Sequence, residues 1–161
     1  MNYRERQQSV IKKLKQTVVS KEVPVSSVPM NLDFDNDSNR CLTLLTFLPA
    51  TLKSRIAPLI EQLKELEDCH HYYPLESLHL TIQNVRKIST PPSFTEHDIE
   101  TARRVFAEIF ARKQDISFEL AGLMRLATSV SIVAYANDSY EKLVKEMRSA
   151  LDRHGIPDDK K

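Results

Sequence analysis

The stretch that most constrains this chain is Leu75-Glu76-Ser77-Leu78-His79-Leu80-Thr81-Ile82. Apolar and polar residues alternate along it, which predicts a buried strand. Residues two apart in a strand point the same way. Leu78, Leu80 and Ile82 are therefore expected against a core, and His79 and Thr81 on the opposite face with Ser77 and Gln83. An imidazole beside a hydroxyl on one strand face makes His79 and Thr81 the first candidates for chemistry.

The rest of the chain bounds what can surround that strand. Its 161 residues, 41% hydrophobic and 28% charged, suit one globular domain, or one domain with an extension. A net charge of +1 gives no overall pull toward nucleic acid or membrane. With only two glycines the chain has neither a Walker-type nor a dinucleotide-binding loop. Cys41 and Cys69 lack metal-ligand spacing and read as two reduced, buried thiols. There is no apolar run near the ~20 residues of a membrane span and no signal-peptide core. A cytoplasmic protein with no membrane partner is expected.

Along the chain, Val10, Ile11, Leu14 and Val18 recur at helical spacing in a basic segment over residues 1–22. It reads either as an arm for phosphates or as a docked surface helix. Residues 23–40 read as a linker broken by Pro24 and Pro29. Asp33, Asp35 and Asp37 alternate there, but Ser38 and Leu44 stand where a calcium loop needs Gly and Glu. Residues 41–47 predict a central strand, followed by a helix that Thr51 caps and that runs to Asp68, with Ile56, Leu59, Ile60, Leu63 and Leu66 inward. The adjacent His70 and His71 would point apart on a strand, and no metal site is expected. Tyr72 and Tyr73 follow, and an aromatic such as Tyr73 beside the His79 strand is a candidate for stacking on a base. Thr95 precedes a helix with Ile99, Ala102, Val105, Phe106, Ile109 and Phe110 inward. Residues 116–121 and 129–136 predict strands, with 122–128 as a turn between them. Asn137 to Ser139 precede a last helix that Gly155 and Pro157 stop. Residues 41–161 thus form one α+β domain of mixed or antiparallel sheets and packed helices, behind a helix and linker over 1–40.

Leu78-His79-Leu80-Thr81-Ile82, after Pro74, resembles the first His-x-Thr-x signature of the 2H phosphoesterase superfamily, which includes 2′-5′ RNA ligase-like proteins and cyclic nucleotide phosphodiesterases. The strand over 41–47, then Leu48-Pro49 and an amphipathic helix, resembles the family's opening, and 116–154 its second half. The resemblance implies a two-lobed fold and a metal-independent, cofactor-free reaction on a 2′,3′-cyclic phosphate or 2′-5′ phosphodiester of RNA or nucleotides. In it His79 would be the acid or base, and Thr81 would bind a non-bridging phosphate oxygen. Tyr73, Gln83 and Arg86, with Lys87 next to it, would contact the substrate.

The family carries two such signatures. Here His70, His71, His97 and His154 have no Thr or Ser two positions on. Three readings stand: the protein continues past Lys161 into further strands that carry the second signature; two copies pair their His79 side chains across a two-fold axis; or the domain is catalytically incomplete and binds RNA, nucleotides or a protein partner without turnover.

Overall fold

The computed structural model describes residues 2–19, 36–68, 71–112, 115–126 and 129–157. Residues 20–35, which hold most of the expected linker, lie outside the described residues, as do Cys69, His70 and the end from 158 onward. The fold is α+β, with four α-helices and two small antiparallel sheets among the described residues. No helix among them is long and apolar enough to cross a membrane. The described residues divide into two compact units, one within residues 2–38 and 96–157, the other within residues 39–95.

The first unit holds α1 (Tyr3–Val19), α3 (Glu96–Phe110), the strands β3 (Phe118–Arg125) and β4 (Val130–Ala136), and α4 (Asp138–Arg153). Its core is Ala102, Val105, Phe106 and Ile109 from α3, Val133 from β4, and Leu143, Met147, Ala150 and Leu151 from α4. Met147 is wholly buried. Each of the valine, leucine, isoleucine, phenylalanine and methionine side chains among them stabilises the unit by about 1.5–3 kcal/mol relative to exposure. Phe110, expected inward, is exposed.

Gly122, expected in a turn, lies inside β3 instead. Leu120 pairs with Ala134 and Leu123 with Ile132, so β3 has one residue more than its partner. That bulge sets Gly122 at φ +105, where a glycine is free of Cβ strain. Gly155 does stop α4 as expected. At φ +80 it lets Gly155 N bond Asp152 O and Ile156 N bond Leu151 O, and Ile156 is buried behind the turn.

The helix α1 does not dock by its apolar stripe, since Val10 and Leu14 are exposed. Its first two turns dock by polar side chains. Asn2 and Glu5 cap it reciprocally, Glu5 N bonding Asn2 Oδ1 at 2.8 Å and Asn2 N bonding Glu5 Oε2 at 2.9 Å. Gln7 then meets both backbone groups of Ala136, giving its Nε2 proton to the carbonyl and accepting from the amide, each at 2.9 Å. Arg4 pairs with Glu119 at 2.9 Å and lies over the Tyr135 ring, and Arg6 pairs with Glu141. Lys12, Lys13 and Lys15 stay exposed.

The second unit holds β1 (Arg40–Phe47), α2 (Ala50–Leu66), a 3-10 turn (Leu75–Ser77) and β2 (His79–Ser89). β1 was expected to be central and its Cys41 buried, yet among the described residues its one partner is β2, in an antiparallel ribbon, and Cys41 is exposed. Nor is Thr51 the cap of α2. Pro49 is, because its ring holds an extended backbone at φ −66 and ψ 154 and its carbonyl accepts from Leu52 N and Lys53 N. Of the expected stripe on α2 only Ile56 is buried, and Leu59 and Leu66 are exposed.

Candidate functional site

The expected strand over residues 75–82 starts later than its pattern suggests. Pro74 sets up a single 3-10 turn, with Ser77 N bonding Pro74 O and Leu78 N bonding Leu75 O, so Ser77 does not lie on β2. The strand opens at His79. This offset brings the Ser77 carbonyl back onto the histidine: His79 Nδ1 lies 2.7 Å from Ser77 O. A carbonyl can only accept, so Nδ1 carries the proton and, in the neutral ring, Nε2 keeps its lone pair for a ligand.

Neither His79 nor Thr81 is buried; both are exposed. Their partners across the ribbon are Phe47 and Leu45. Facing residues in an antiparallel pair share a face. The next pairs show where the simple alternation fails. Leu45 pairs with Thr81 but Leu44 with Gln83, which leaves Ile82 as an extra residue. This bulge inverts the pattern. Gln83 turns inward to 5% exposure and gives its Nε2 proton to Asn84 O at 2.7 Å, and Val85 is buried too. Gln83 thus does not share the His79 and Thr81 face, as the period of two had suggested. Asn84 takes that place: it pairs with Thr43, whose hydroxyl lies 3.3 Å from Asn84 Oδ1.

The other expected substrate contacts are dispersed. Arg86 lies seven residues further along β2 than His79, about 20 Å at the rise of a strand. Its Nη1 bonds Val85 O at 3.1 Å. One phosphate cannot meet both Arg86 and His79. Tyr73 is exposed, with its ring edge-on to His71 at 4.8 Å. Tyr72 is spent on structure: its hydroxyl lies 2.9 Å from Leu63 O and 2.6 Å from Glu67 O, tying the end of α2.

The groups that do meet His79 are ones the sequence reading passed over. Phe47 is 60% exposed, and its ring lies edge-on to the imidazole at 6.4 Å between centroids. The tight Leu48-Pro49 connection returns the chain at once into α2, one turn of which brings Lys53 to the same place. Lys53 Nζ sits 5.9 Å from the Phe47 ring centre and bonds Glu76 O at 3.1 Å. The sequence marks Phe47 only as the last residue of a strand, and its pairing with His79 is visible only in the fold.

Among the described residues no three His, Cys, Asp or Glu side chains gather as a metal site. The arrangement offers one nucleophilic nitrogen, one hydroxyl and one ammonium around an exposed aromatic ring. Comparison of the chain with protein-family models, with curated proteins and with solved structures found no match.

Proposed function

We propose that the His79 face of the β1–β2 ribbon handles a phosphodiester, in a phosphoesterase that opens 2′,3′-cyclic phosphates or cleaves 2′-5′ linkages at RNA or nucleotide ends. The observation that supports this is the fixed tautomer of His79. Its Nδ1 is held by the Ser77 carbonyl, so Nε2 is the acceptor, exposed on the same face as the Thr81 hydroxyl. Opening a cyclic phosphate takes a proton from water as it attacks phosphorus and delivers one to the departing ribose oxygen. Nε2 suits the first step or, when protonated, the second. Thr81 suits a non-bridging oxygen, where negative charge gathers.

No other histidine of the sequence has a Thr or Ser two positions on, so the second proton carrier of such a reaction has no matching His-x-Thr pair here. In our reading it is a second imidazole, supplied by the second lobe of a two-lobed 2H arrangement or by His79 of a second copy. The same gap favours a second reading, a catalytically incomplete domain that binds RNA or nucleotides without turnover. The cytoplasm is the compartment we assign in either case.

The test is to incubate the protein with nucleoside 2′,3′-cyclic monophosphates and with a 2′-5′-linked dinucleotide, and to measure binding in parallel by calorimetry. Ring opening that His79→Ala abolishes supports the enzyme. Binding without product supports the incomplete domain. Neither binding nor product overturns both readings.

A further inference from the structure

Phe47 and Lys53 meet on the surface beside His79, and the phenyl side chain is 60% exposed. The ring is also held from two sides. The His79 imidazole meets it edge-on at 6.4 Å, and the Lys53 ammonium lies 5.9 Å from its centre. The ammonium is itself anchored on Glu76 O at 3.1 Å, from the turn that also supplies the Ser77 carbonyl. An ammonium has three donors, so this anchor leaves N–H groups for an anion. One short segment thus fixes the acid–base nitrogen and the cation together, beside a phenyl ring that is mostly exposed.

From this geometry we infer that Phe47 and Lys53 form a nucleobase subsite. Phe47 stacks the base of the nucleotide whose phosphate lies at His79 and Thr81, and Lys53 pairs with a backbone phosphate oxygen beside it. The inference rests on the phosphodiester reading of the His79 face. It adds that the ligand is recognised through its base as well as its phosphate, and it assigns that contact to the end of β1. Stacking on an aromatic tolerates any base, because every base has a π-face. The subsite therefore selects nucleotides over other phosphodiesters without selecting among bases.

The chain has no tryptophan, which makes a direct test available. Phe47→Trp places a single indole at the subsite. Adenosine 2′,3′-cyclic phosphate is expected to quench its fluorescence saturably, and methyl riboside 2,3-cyclic phosphate, which has no base, is not. In the unmodified protein calorimetry should show the nucleotide binding about tenfold or more tighter than the abasic compound. Phe47→Ala should bring that ratio close to one. Lys53→Ala should weaken the nucleotide and flatten the salt dependence of its binding. A preference for the nucleotide that survives Phe47→Ala, or equal quenching by both compounds, overturns the subsite and leaves the phosphate reading standing. Failure of the unmodified protein to bind either compound overturns both.

Discussion

His79 and Ser77 are locked to each other through the backbone: the imidazole Nδ1 lies 2.7 Å from the Ser77 carbonyl oxygen, two residues before it. The contact exists because a 3-10 turn, not a strand, precedes His79. It predicts a defined neutral tautomer, with a pyrrole-type Nδ1 and a pyridine-type Nε2. Long-range nitrogen–proton NMR correlations on the five-histidine chain, assigned by His79→Gln, read this directly. A pyridine-type Nδ1 at His79 would remove the basis for assigning Nε2 as the reacting nitrogen.

Thr81 separates a chemical role from a structural one. Its side chain is exposed and faces Leu45, so it contributes little to the core. In the phosphoesterase reading Thr81→Val removes a hydrogen-bond donor to the phosphate, which costs about 10²-fold in kcat with a smaller change in KM. Thr81→Ser, which keeps the hydroxyl, should recover most of the rate. Single-turnover kinetics with the three proteins decide it, and equal rates in all of them would end the assignment.

These two residues also show how far the sequence could be read. Alternation along residues 75–82 correctly put His79 and Thr81 on one face, because the period of two is a local property of the backbone. It misplaced Gln83, because the Ile82 bulge depends on how Leu44 and Leu45 pair across the ribbon, and pairing is not local. Phe47 and Lys53 were missed for a related reason. Each looked ordinary in its own element, and only the short Pro49 turn and the strand pairing bring them to His79. Gly155 was legible because a helix stop is written in adjacent residues. Gly122 was not, because a bulge and a turn ask the same of a glycine. A docked surface helix was one of the two readings open for α1, but the residues that hold it were not legible: Gln7, Arg4 and Arg6 reach partners on β3, β4 and α4 that only the tertiary fold brings near.

Gln7 acts as one more residue of β4, satisfying both the N–H and the C=O of Ala136. Ala136 is buried at 4% exposure, so the groups cannot all turn to water if the side chain is shortened. An unsatisfied buried polar group costs about 1–3 kcal/mol. Gln7→Ala should lower the unfolding free energy by about that amount in urea titration. Gln7→Glu should be no better, since a carboxylate accepts from the amide but repels the carbonyl. If Gln7→Ala matched the parent, α1 would be held by its arginines alone.

The docking of α1 should also depend on pH at both extremes. The Glu141 carboxyl is held below its ordinary 4.5, chiefly by the Lys145 hydrogen bond and also by Arg6. A depressed carboxyl contributes stability above its unfolded pKa and loses it as pH falls through the folded one. That contribution is therefore complete above pH 4.5 and fades below it. The Tyr3 and Tyr140 hydroxyls are pushed above their ordinary 10.0, first by burial, then by the Glu141 carboxylate for Tyr3 and by Tyr3 for Tyr140. A raised group contributes below its unfolded value, and its contribution fades as pH climbs past 10 through the folded one. Amide exchange across α1 should accelerate in both windows, and Glu141→Gln should weaken the acid response and also reduce the part of the alkaline one that comes through Tyr3. An acid response unchanged in Glu141→Gln would place its origin elsewhere.

Gly155 gives the sharpest stability prediction, because its cost has one source. At φ +80 it lies in the left-handed region, yet a Cβ built there meets nothing within 4 Å. Any loss on substitution is therefore backbone strain, not crowding. Gly155→Ala should destabilise the first unit by about 1–2 kcal/mol, the cost of a left-handed conformation for a residue with a Cβ. Gly155→Asn should cost less, since asparagine tolerates that region. The loss should come without disorder at Ile156, because the two hydrogen bonds that close the turn, from Gly155 N to Asp152 O and from Ile156 N to Leu151 O, are made by the backbone. Urea midpoints of the three proteins, compared at constant m-value, measure the difference. Equal midpoints for Ala and Gly would mean that the end of α4 relaxes to another turn at no cost.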